Sequence, residues 1–397
     1  MDRNRQFPVR LLFVQTQAEM AGAQEISRLL GEQLSLPSDG PALEAHHLFL
    51  YRKTAGCDAF PNVHFVAEKR PSGPLDAVRF LWRLFALVRQ IKPDVMLTFQ
   101  HYGNIVGAPV GRLLGVPRII ANHVSAPATI NGIVRRVDRV LGLAGFYDVI
   151  TVNSRETWRD YRSYPPRYLR RIVYVPHGFA LRASLLGMQA ARARFGLPAD
   201  VKLAGTVARL HPLKRIDLAI GLLPRLPDLH LAIAGQGPDA DRLRGVAASL
   251  GVASRVHFAG EMDGAGVSDF LAALDLFVFP SAAETFGLAA VEAAQAGVPV
   301  VANDLPVLRE VLEIDGEACA VFVDAADEAA FADAVSGLLA DEALRKRIVS
   351  RGRLLARRYS LQEMVEGYRS LILGPLPVAD DAAGEEAPEP VRPAARL

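Results

Sequence analysis

Short apolar runs alternate with amphipathic stretches along most of the chain. The runs have the length of buried strands, and the stretches between them, such as 74–91 and 238–250, carry apolar residues at helical spacing. Repetition of strand, helix and strand predicts parallel sheets with helices on both faces. The ten predicted strands are 9–15, 94–99, 118–123, 148–153, 172–177, 202–208, 229–235, 255–260, 276–281 and 298–304.

Ten strands are many for one sheet, and one segment is suited to a domain boundary. Residues 176–200 have Gly and Pro at both ends and no strand pattern between them. We therefore predict an α/β protein with two doubly wound, Rossmann-like domains, 1–180 and 181–373, that face a cleft at the carboxyl ends of both sheets. The last helix could pack back on the first domain. The tail, 374–397, is rich in Pro, Ala and acidic residues and is predicted to be disordered.

The composition fits a cytoplasmic protein with two hydrophobic cores. Half of the 397 residues are hydrophobic. Cys57 and Cys319 are the only cysteines, which gives neither a disulfide framework nor a zinc-binding spacing. The first residues lack the apolar stretch of a signal peptide. The sequence contains no run of about 18 uncharged apolar residues, so we predict no transmembrane helix. We expect a cytoplasmic location, with peripheral contact to the inner face of the membrane as a second option.

Charge is unevenly distributed along the chain. Residues 1–180 hold 23 Lys and Arg against 14 Asp and Glu, a net charge of +9, whereas the remainder carries −7. The basic half is expected to meet an anionic partner, such as phosphate-bearing lipid, a polyanionic polymer or nucleic acid. Nucleic acid ranks last, because no basic motif interleaved with aromatic residues is present.

Two basic amphipathic segments in this half leave two interpretations open. Residues 75–92 place Arg79 and Arg83 one turn apart, and 131–146 again mixes Arg with aliphatic residues. Each segment could flank a buried sheet with its basic face in solvent, or lie on an anionic membrane surface. The first segment has an apolar side formed by Phe80, Leu81, Leu84, Phe85, Leu87 and Val88, with Trp82 near its boundary.

Two carboxylates accompany an apolar predicted helix within residues 284–304. Glu292 lies in the middle of the helix and Glu284 lies just ahead of its start. Burying a carboxylate without a partner costs several kcal/mol. Glu292 must therefore reach an edge of the fold or be met by a polar group.

Four ordered stretches, the last with the spacing Glu-x7-Glu, carry a family resemblance. They are GTVARLHPLKRID (205–217), AGQGPD (234–239), 256–281 and 281–304. The first domain matches more weakly, at 19–34, 122–123 and 148–161. Together these stretches closely resemble the retaining, nucleotide-sugar-dependent glycosyltransferases of family 4, which have the GT-B fold.

The resemblance implies transfer of a sugar from a UDP- or GDP-linked donor, bound mainly by the second domain, to a glycan or lipid-linked acceptor on the first. It implies that Arg209 and Lys214 meet the diphosphate, without a divalent metal or another cofactor. It assigns catalytic roles to Glu284, Arg209, Lys214 and His123. It assigns donor binding to Gly22, Arg209, Lys214, Glu284, Thr285, Phe286, Gly287, Leu288 and Glu292. Synthesis of cell-surface polysaccharide or glycolipid is the expected context.

Elementary chemistry agrees with the assignment in the second domain. Gly287 marks a strand-to-helix turn, and the N–H groups at a helix start attract phosphate. Eight helical residues rise about 12 Å, the scale of a nucleotide sugar, which would bring sugar hydroxyls to Glu284 and a ribose diol to Glu292. Fixed cations at Arg209 and Lys214 would stabilise charge on the leaving diphosphate.

Two positions of the first domain are less decided. Gly22 leaves room for a phosphate or a sugar. Near it, Ala21 replaces a glycine of the family pattern and Gln24 replaces a glutamate, which leaves the acceptor open. His123 lies at the end of a predicted strand, where it could lie near the reacting sugar or be a structural residue.

Other motifs support weaker alternatives. GQGPDA (235–240) with Glu261 resembles a dinucleotide fingerprint, which would make the chain an oxidoreductase. Asp239, in DAD (239–241), fits a helix N-cap better than a metal motif. We assign to loops the histidines that show no ligand pattern, which are His46, His47 and His64. A nucleotide-sugar epimerase of the same fold and a non-catalytic sugar-nucleotide-binding protein are the alternatives to a transferase.

Overall fold

The chain divides into two compact units, each built around a parallel sheet. In a computed structural model, the described residues are 7–19, 21–38, 40–125, 129–179, 184–376 and 389–391. The first unit comprises Met1–Gly178 and Leu361–Leu397, and the second comprises Phe179–Ser360. None of the helices in these ranges is both long enough and apolar enough to cross a membrane.

A parallel sheet of seven strands forms the centre of the first unit. Its strands are β1 (Val9–Ala18), β2 (Leu43–Arg52), β3 (Val63–Ala67), β4 (Val95–Phe99), β5 (Arg118–His123), β6 (Val149–Val152) and β7 (Ile172–Tyr174). Its helices are α1 (Gly22–Leu34), α2 (Pro74–Ile91), α3 (Gln100–Leu113), α4 (Gly132–Ala144), α5 (Arg155–Arg159) and α6 (Pro166–Leu169). The spatial order of the strands is β3-β2-β1-β4-β5-β6-β7. Every residue of β4 is buried, as the apolar run at this position requires in a sheet covered on both faces.

Strands β2 and β3 were not predicted from the sequence, and the assignment of three histidines to loops was wrong. His46 and His47 lie in β2, and His64 lies in β3. The histidines interrupt the apolar pattern by which strands are recognised. His47 is nevertheless buried, and its ring stacks on Phe13 with 4.9 Å between the centroids. Burial lowers the pKa of His47 to about 3, so this side chain packs as a neutral aromatic ring.

A parallel sheet of six strands forms the second unit, in the order β10-β9-β8-β11-β12-β15. Its strands are β8 (Lys202–Val207), β9 (Leu229–Ala234), β10 (Val256–Gly260), β11 (Leu276–Phe279), β12 (Val300–Asn303) and β15 (Val321–Val323), and β13 (Glu313–Ile314) forms a hairpin with β14 (Glu317–Ala318). Its helices are α7 (Met188–Arg194), α8 (Ile216–Gly221), α9 (Ala240–Ser249), α10 (Gly264–Ala272), α11 (Leu288–Gln295), α12 (Pro306–Val311), α13 (Glu328–Ala340) and α14 (Glu342–Arg358). All ten predicted strands are present in the two sheets, whereas β15 was not predicted.

Strand order reverses once in each sheet, and this determines where loops converge. The reversal lies between β1 and β4 in the first sheet and between β8 and β11 in the second. The connections on the two sides of such a point leave in opposite directions, so the carboxyl ends of the strands there form a crevice for ligands. In the second unit, the loops that follow these strand ends carry Arg209, Lys214 and Glu284.

Helix α15 (Leu361–Leu373) belongs to the first unit, although it follows the second unit in sequence. The buried Tyr368 hydroxyl donates to Asn122 Oδ1 at 2.6 Å, and the Thr151 hydroxyl donates to the same oxygen at 2.6 Å. Arg118 donates to the carbonyl groups of residues 371, 372 and 374 at 2.7, 2.9 and 2.8 Å. Buried polar groups that are satisfied in this way hold the helix in one position on the sheet.

A short part of the tail that was predicted to be disordered lies against the first sheet. Pro390 pairs with Tyr174 in β7, and the Val391 N–H donates to the Tyr174 carbonyl at 3.0 Å. Arg155 lies 3.3 Å from Glu389. Residues 377–388 and 392–397 lie outside the described residues, so the prediction of disorder is not tested there.

Two glycines let the loop after β8 approach its neighbouring segment closely. The Leu210 N–H donates to the Gln236 carbonyl at 2.9 Å. A Cβ on Gly235 or Gly237 would lie 2.0 or 2.2 Å from a carbonyl oxygen of this loop. Protein backbone around Arg209 therefore accounts for the GQG sequence without a dinucleotide.

Gly237→Ala is expected to destabilise the second unit, because the added methyl group would meet backbone rather than a mobile side-chain end. We expect a loss of about 1–3 kcal/mol in the free energy of unfolding, measured as a lower melting temperature by circular dichroism. Gly245→Ala is the matched control, since it adds the same group on α9 with nothing within 4 Å. The control should be neutral or stabilising by up to about 1 kcal/mol. Equal melting temperatures for the two variants would contradict the packing role.

Candidate functional site

Two loops at the strand-order reversal of the second unit are tied together. The Ala282 N–H donates to the Leu213 carbonyl at 2.8 Å. Lys214 Nζ lies 2.5 Å from Glu284 Oε1, so two side chains assigned to donor chemistry from the sequence are in direct contact. The same amine lies 5.7 Å from the centroid of the Phe279 ring, within the range of a cation–π contact.

The turn that carries Lys214 is determined locally. A 3-10 turn spans Pro212–Lys214, and His211 accepts from the Leu213 N–H at 3.3 Å. Proline at the first position presets the backbone for such a turn. Arg215 has a φ of +45°, which separates the turn from α8. The loop after β8 therefore bends sharply at Lys214 instead of running directly into the helix.

The Lys214–Glu284 pair is mostly shielded from water. The two side chains are 25% and 11% exposed, respectively. Charges at this depth interact more strongly than surface charges do, and removal of either partner would leave the other poorly solvated. An anionic ligand that reached this pair could replace Glu284 as the partner of Lys214.

Gly287 begins α11 in a conformation that other residues rarely adopt. Its φ is +84°, and a Cβ there would lie 2.5 Å from a methyl group of Leu308. The N-cap provides no side-chain hydrogen bond, and uncapped N–H groups of this kind favour an anion. Phe286 is buried and packs edge-on against Tyr359 at 5.0 Å, which anchors the turn. The other two predicted residues of the turn, Thr285 and Leu288, are half-buried.

Glu292 and Arg209 lie at the margin of the second unit's core. Glu292 is half-buried, although its neighbours Val291 and Ala293 in α11 are fully buried. Glu292 is thus less buried than the rest of this turn of α11. Arg209 is half-buried in the loop after β8.

Asp239 has the predicted N-cap position, but not the hydrogen bond of a capping residue. Asp239 occupies the N-cap position of α9, but its side chain makes no capping hydrogen bond. It accepts hydrogen bonds from Arg242 at 2.6 and 2.7 Å instead. A forked arginine contact of this kind is stronger than a neutral hydrogen bond, and these hydrogen bonds lower the pKa of Asp239.

Gly22 begins α1 beside the strand-order reversal of the first sheet, and Ala21 provides no cap. Gln24, which replaces the family's glutamate, is buried and donates to the Gln17 carbonyl at 2.8 Å. On the β4 side of the same reversal, Gln100 begins α3 with a φ of +63°. Residues other than glycine hold this conformation only where the surrounding structure enforces it, and such positions concentrate at functional sites.

His123 is fully buried in the first unit. Its Nδ1 lies 2.7 Å from the Tyr161 hydroxyl, and its Nε2 lies 3.4 Å from Asp138 Oδ1. This burial is what the structural interpretation of His123 expects, and a catalytic role for it stays a prediction.

Sequence reasoning missed two other buried polar residues near His123, which are His101 and Asp138. Burial lowers the pKa of His101 to about 3. Burial opposes ionisation of Asp138, but His123, His101 and the Tyr168 hydroxyl together outweigh it, and the pKa of Asp138 is lowered to about 2. His101 could have been found from its position two residues after the predicted strand 94–99, whereas nothing marked Asp138 within its basic helix.

The chain is similar in sequence to named glycosyltransferases. The model of the family "Glycosyl transferases group 1" matches residues 188–355. A D-inositol 3-phosphate glycosyltransferase of Acidothermus cellulolyticus is 33% identical over 301 residues, which cover 69% of this chain and 65% of that protein. The lipopolysaccharide core biosynthesis glycosyltransferase LpsE of Rhizobium meliloti is 34% identical over 182 residues, or 46% of this chain and 52% of LpsE. A phosphatidyl-myo-inositol mannosyltransferase of Mycobacterium tuberculosis is 40% identical over 156 residues, or 37% of this chain and 40% of that protein. The matches thus span 40–65% of the length of these relatives.

Solved structures share the architecture of both units. Anabaena Alr3699/HepE in complex with UDP and glucose gives a TM-score of 0.78 at 18% identity, covering 91% of this chain and 98% of that one. WaaG, a glycosyltransferase involved in lipopolysaccharide biosynthesis, gives 0.70 at 16% identity, covering 92% and 100%. At such identity the likeness shows the fold alone, and it confirms the predicted GT-B architecture. The second unit thus matches the glycosyltransferase group 1 family model, and the chain has the GT-B fold.

Proposed function

We propose that this protein is a retaining glycosyltransferase that moves a sugar from a nucleoside diphosphate to an acceptor hydroxyl. The observation that carries the proposal is the contact between Lys214 and Glu284 at the strand-order reversal of the second sheet. A cation suited to the diphosphate and a carboxylate suited to sugar hydroxyls are held on adjoining loops, close in sequence to the helix start at Gly287.

Donor binding would exchange the partners of this ion pair. The diphosphate would meet Lys214, Arg209 and the first N–H groups of α11. Glu284, released from Lys214, would accept hydrogen bonds from the sugar. Glu292 lies further along α11, where its carboxylate would accept hydrogen bonds from the ribose.

The chemical step would take place on one face of the sugar. The bond between the anomeric carbon and the phosphate oxygen breaks, the acceptor oxygen bonds to the same carbon, and the acceptor proton passes to the departing phosphate oxygen. Negative charge grows on the diphosphate in the transition state, where Arg209 and Lys214 stabilise it. Glu284 orients the sugar and forms no covalent bond to it.

A UDP-linked sugar is our first choice of donor, because HepE was crystallised with UDP and glucose, and a GDP-linked sugar is the second. The relatives' names refer to inositol phosphate, phosphatidylinositol and lipopolysaccharide core. They support a glycan or lipid-linked acceptor in the synthesis of glycolipid or polysaccharide. Binding of the acceptor mainly by the first domain and a cytoplasmic location are parts of our proposal. These relatives are named as transferases, which favours transfer over epimerisation.

An exposed apolar stripe in the first unit supports contact with a membrane. Leu84 and Val88 of α2 face the core, as expected of its apolar side. A second stripe of α2 faces solvent and consists of Leu75, Val78, Leu81 and Trp82. Trp82 is 71% exposed, and Arg79 and Arg83 are exposed beside it. A helix that only flanked a sheet would need no second apolar stripe.

Helix α4 repeats this combination. Ile133, Val137 and Val140 are exposed, together with Arg136 and Arg139. Helix α3 packs against both α2 and α4, so the exposed stripes are on neighbouring elements of one unit. We propose that this α2–α4 surface rests on anionic lipid, with apolar side chains in the headgroup region and arginines near lipid phosphates.

A donor screen tests the proposed activity. We expect one class of nucleotide sugar among UDP-, GDP- and ADP-sugars to raise the melting temperature. At a hundredfold excess of ligand over Kd, the free energy of unfolding should rise by about 2.7 kcal/mol. The same donor should be slowly hydrolysed, both with and without EDTA. In our proposal, Arg209 and Lys214 stabilise the charge of the diphosphate in place of a metal ion. Stabilisation without any hydrolysis or transfer would favour a binding protein, and loss of activity in EDTA that Mg²⁺ or Mn²⁺ restores would contradict the proposed role of the two cations.

Substitution of each of the paired glutamates is expected to change a different kinetic constant. Glu292→Ala should raise the donor KM roughly tenfold or more, because ribose contacts are similar in the ground and transition states. Glu284→Ala should lower kcat by roughly a hundredfold, because the reacting sugar loses its orientation. Initial rates over a range of donor concentrations separate the two effects.

The matched control for these variants is Glu342→Ala. Glu342 also pairs with a lysine, Lys346, at 2.6 Å, but on the exposed surface of α14. Loss of such a pair should leave both constants unchanged. Wild-type kinetics in Glu284→Ala and Glu292→Ala would show that the assigned site is wrong.

Sedimentation with liposomes tests the α2–α4 surface. Binding to anionic vesicles should weaken with salt, and an Arg79→Glu, Arg83→Glu double variant should lose about 2 kcal/mol, roughly thirtyfold in affinity. Arg347→Glu with Arg357→Glu makes the same charge change on exposed positions of α14 and should bind as the wild type does. Protein that stays in the supernatant with anionic vesicles at low salt would refute the membrane proposal. An equal loss of vesicle affinity in the α14 double variant would show that binding depends on net charge and not on the α2–α4 surface.

A further inference from the structure

Three side chains that can bind metals converge inside the first unit. They are His101 at the start of α3, His123 at the end of β5 and Asp138 in α4. One donor atom from each lies within 4.8 Å of the other two. All three residues are buried, with exposed fractions of 5%, 0% and 1%.

One ring nitrogen of each histidine in this cluster lacks a hydrogen-bond partner. Within the part of the chain that the structure describes, His101 Nδ1 and His123 Nε2 are buried and form no hydrogen bond. His123 Nε2 lies 3.4 Å from Asp138 Oδ1, whereas a charge-assisted hydrogen bond would be about 2.7–2.9 Å long. Buried polar atoms are normally paired, and each exception calls for an explanation.

Asp138 also lacks a permanent positive partner. Among the described residues, no Lys or Arg nitrogen lies within 4.0 Å of its carboxylate, and His123 is its ion-pair contact. A buried carboxylate without a cation is costly. A bound divalent cation would balance this charge and occupy the unpaired lone pairs of both imidazole rings.

We propose that His101, His123 and Asp138 bind a divalent transition-metal ion, with Zn²⁺ as the best match. Two imidazoles and one carboxylate are a donor set that suits zinc or iron(II). Three protein donors leave one position for water or for a nearby phenol oxygen. The site would be structural, it does not depend on the proposed transferase activity, and it does not require His123 to contact a sugar.

Neighbouring tyrosines provide the support that metal ligands need. The Tyr161 oxygen lies 2.7 Å from His123 Nδ1, the ring nitrogen that would remain after metal binding at Nε2. Tyr147 and Tyr168 donate to the two oxygens of Asp138 at 2.9 and 2.8 Å. Such outer contacts orient ligand histidines and carboxylates.

Binding would require a small contraction of the cluster. Ligands with zinc bonds of about 2.0–2.2 Å lie about 3.3 Å from one another. The separation of His123 from Asp138, 3.4 Å, already fits this value. The remaining contraction from the 4.8 Å limit would therefore fall on His101.

Metal analysis tests the proposal once other histidine pairs are removed. Ring nitrogens of His46 and His64 lie 3.4 Å from each other, and those of His230 and His257 lie 3.0 Å from each other. Each pair could therefore bind metal from solution. The full chain with His64→Gln and His257→Gln, purified without a histidine tag, is dialysed against Zn²⁺ and then against metal-free buffer. We expect about one zinc ion per chain by elemental analysis.

Ligand variants in this background locate the ion. His101→Gln and Asp138→Asn should each lower bound zinc at least tenfold. His47→Gln, which changes another buried histidine of the same unit, should keep it. Tyr168→Phe removes no ligand and should weaken zinc affinity by roughly 10–100-fold.

Cobalt substitution keeps the proposal testable if a ligand variant fails to fold. With all three ligands intact, Co²⁺ should produce the visible absorption of a four-coordinate site, and one equivalent of Zn²⁺ should abolish it. Absence of this absorption, together with less than about a tenth of an equivalent of zinc, would overturn the proposal. Retention of zinc by folded His101→Gln would also overturn it. In either case, the cluster would be a metal-free network in which His123 donates to Asp138 and accepts from Tyr161.

Discussion

The reversal of strand order in each parallel sheet is the constraint on which the candidate site depends. All strands of such a sheet end at one edge, and connections that leave neighbouring strands toward opposite faces open a crevice there. In the second unit this brings Lys214 to Glu284 across 70 residues of sequence, at 2.5 Å. The contact also joins the loop after β8 to the loop that begins α11, so the cation, the carboxylate and the helix start form one structural unit.

Small residues determine how closely these loops can approach. Gly235 and Gly237 admit the backbone of the loop that carries Arg209, and Gly287 supplies the positive φ at the start of α11. The same GQG letters would serve a dinucleotide in another fold. Here the space that a Cβ would occupy is taken by protein, so the glycines act on the site through the position of Arg209.

Neighbouring residues of β5 show how the first unit uses the two faces of its sheet. Consecutive strand residues point to opposite faces. Asn122 meets Tyr368 of α15, whereas His123 meets Tyr161 and lies near Asp138 of α4. One face therefore holds the helix that returns from the end of the chain, and the other holds a buried polar cluster. The dipeptide Asn122-His123, which matches the glycosyltransferase pattern in sequence, thus contributes its two side chains to separate hydrogen-bond networks.

The sequence by itself determined the features that depend on local patterns. The ten predicted strands follow from apolar runs of strand length. The GT-B fold and the likeness of the second unit to group 1 glycosyltransferases follow from ordered motifs that end in the paired glutamates Glu284 and Glu292. Tertiary structure decided what depends on partners distant in sequence. It placed His47 in a strand, because stacking on Phe13 compensates for a polar ring, and it gave Asp239 an arginine instead of a helix cap. It also gathered His101, His123 and Asp138, since no local pattern reveals that the start of α3, the end of β5 and the middle of α4 meet at one buried point.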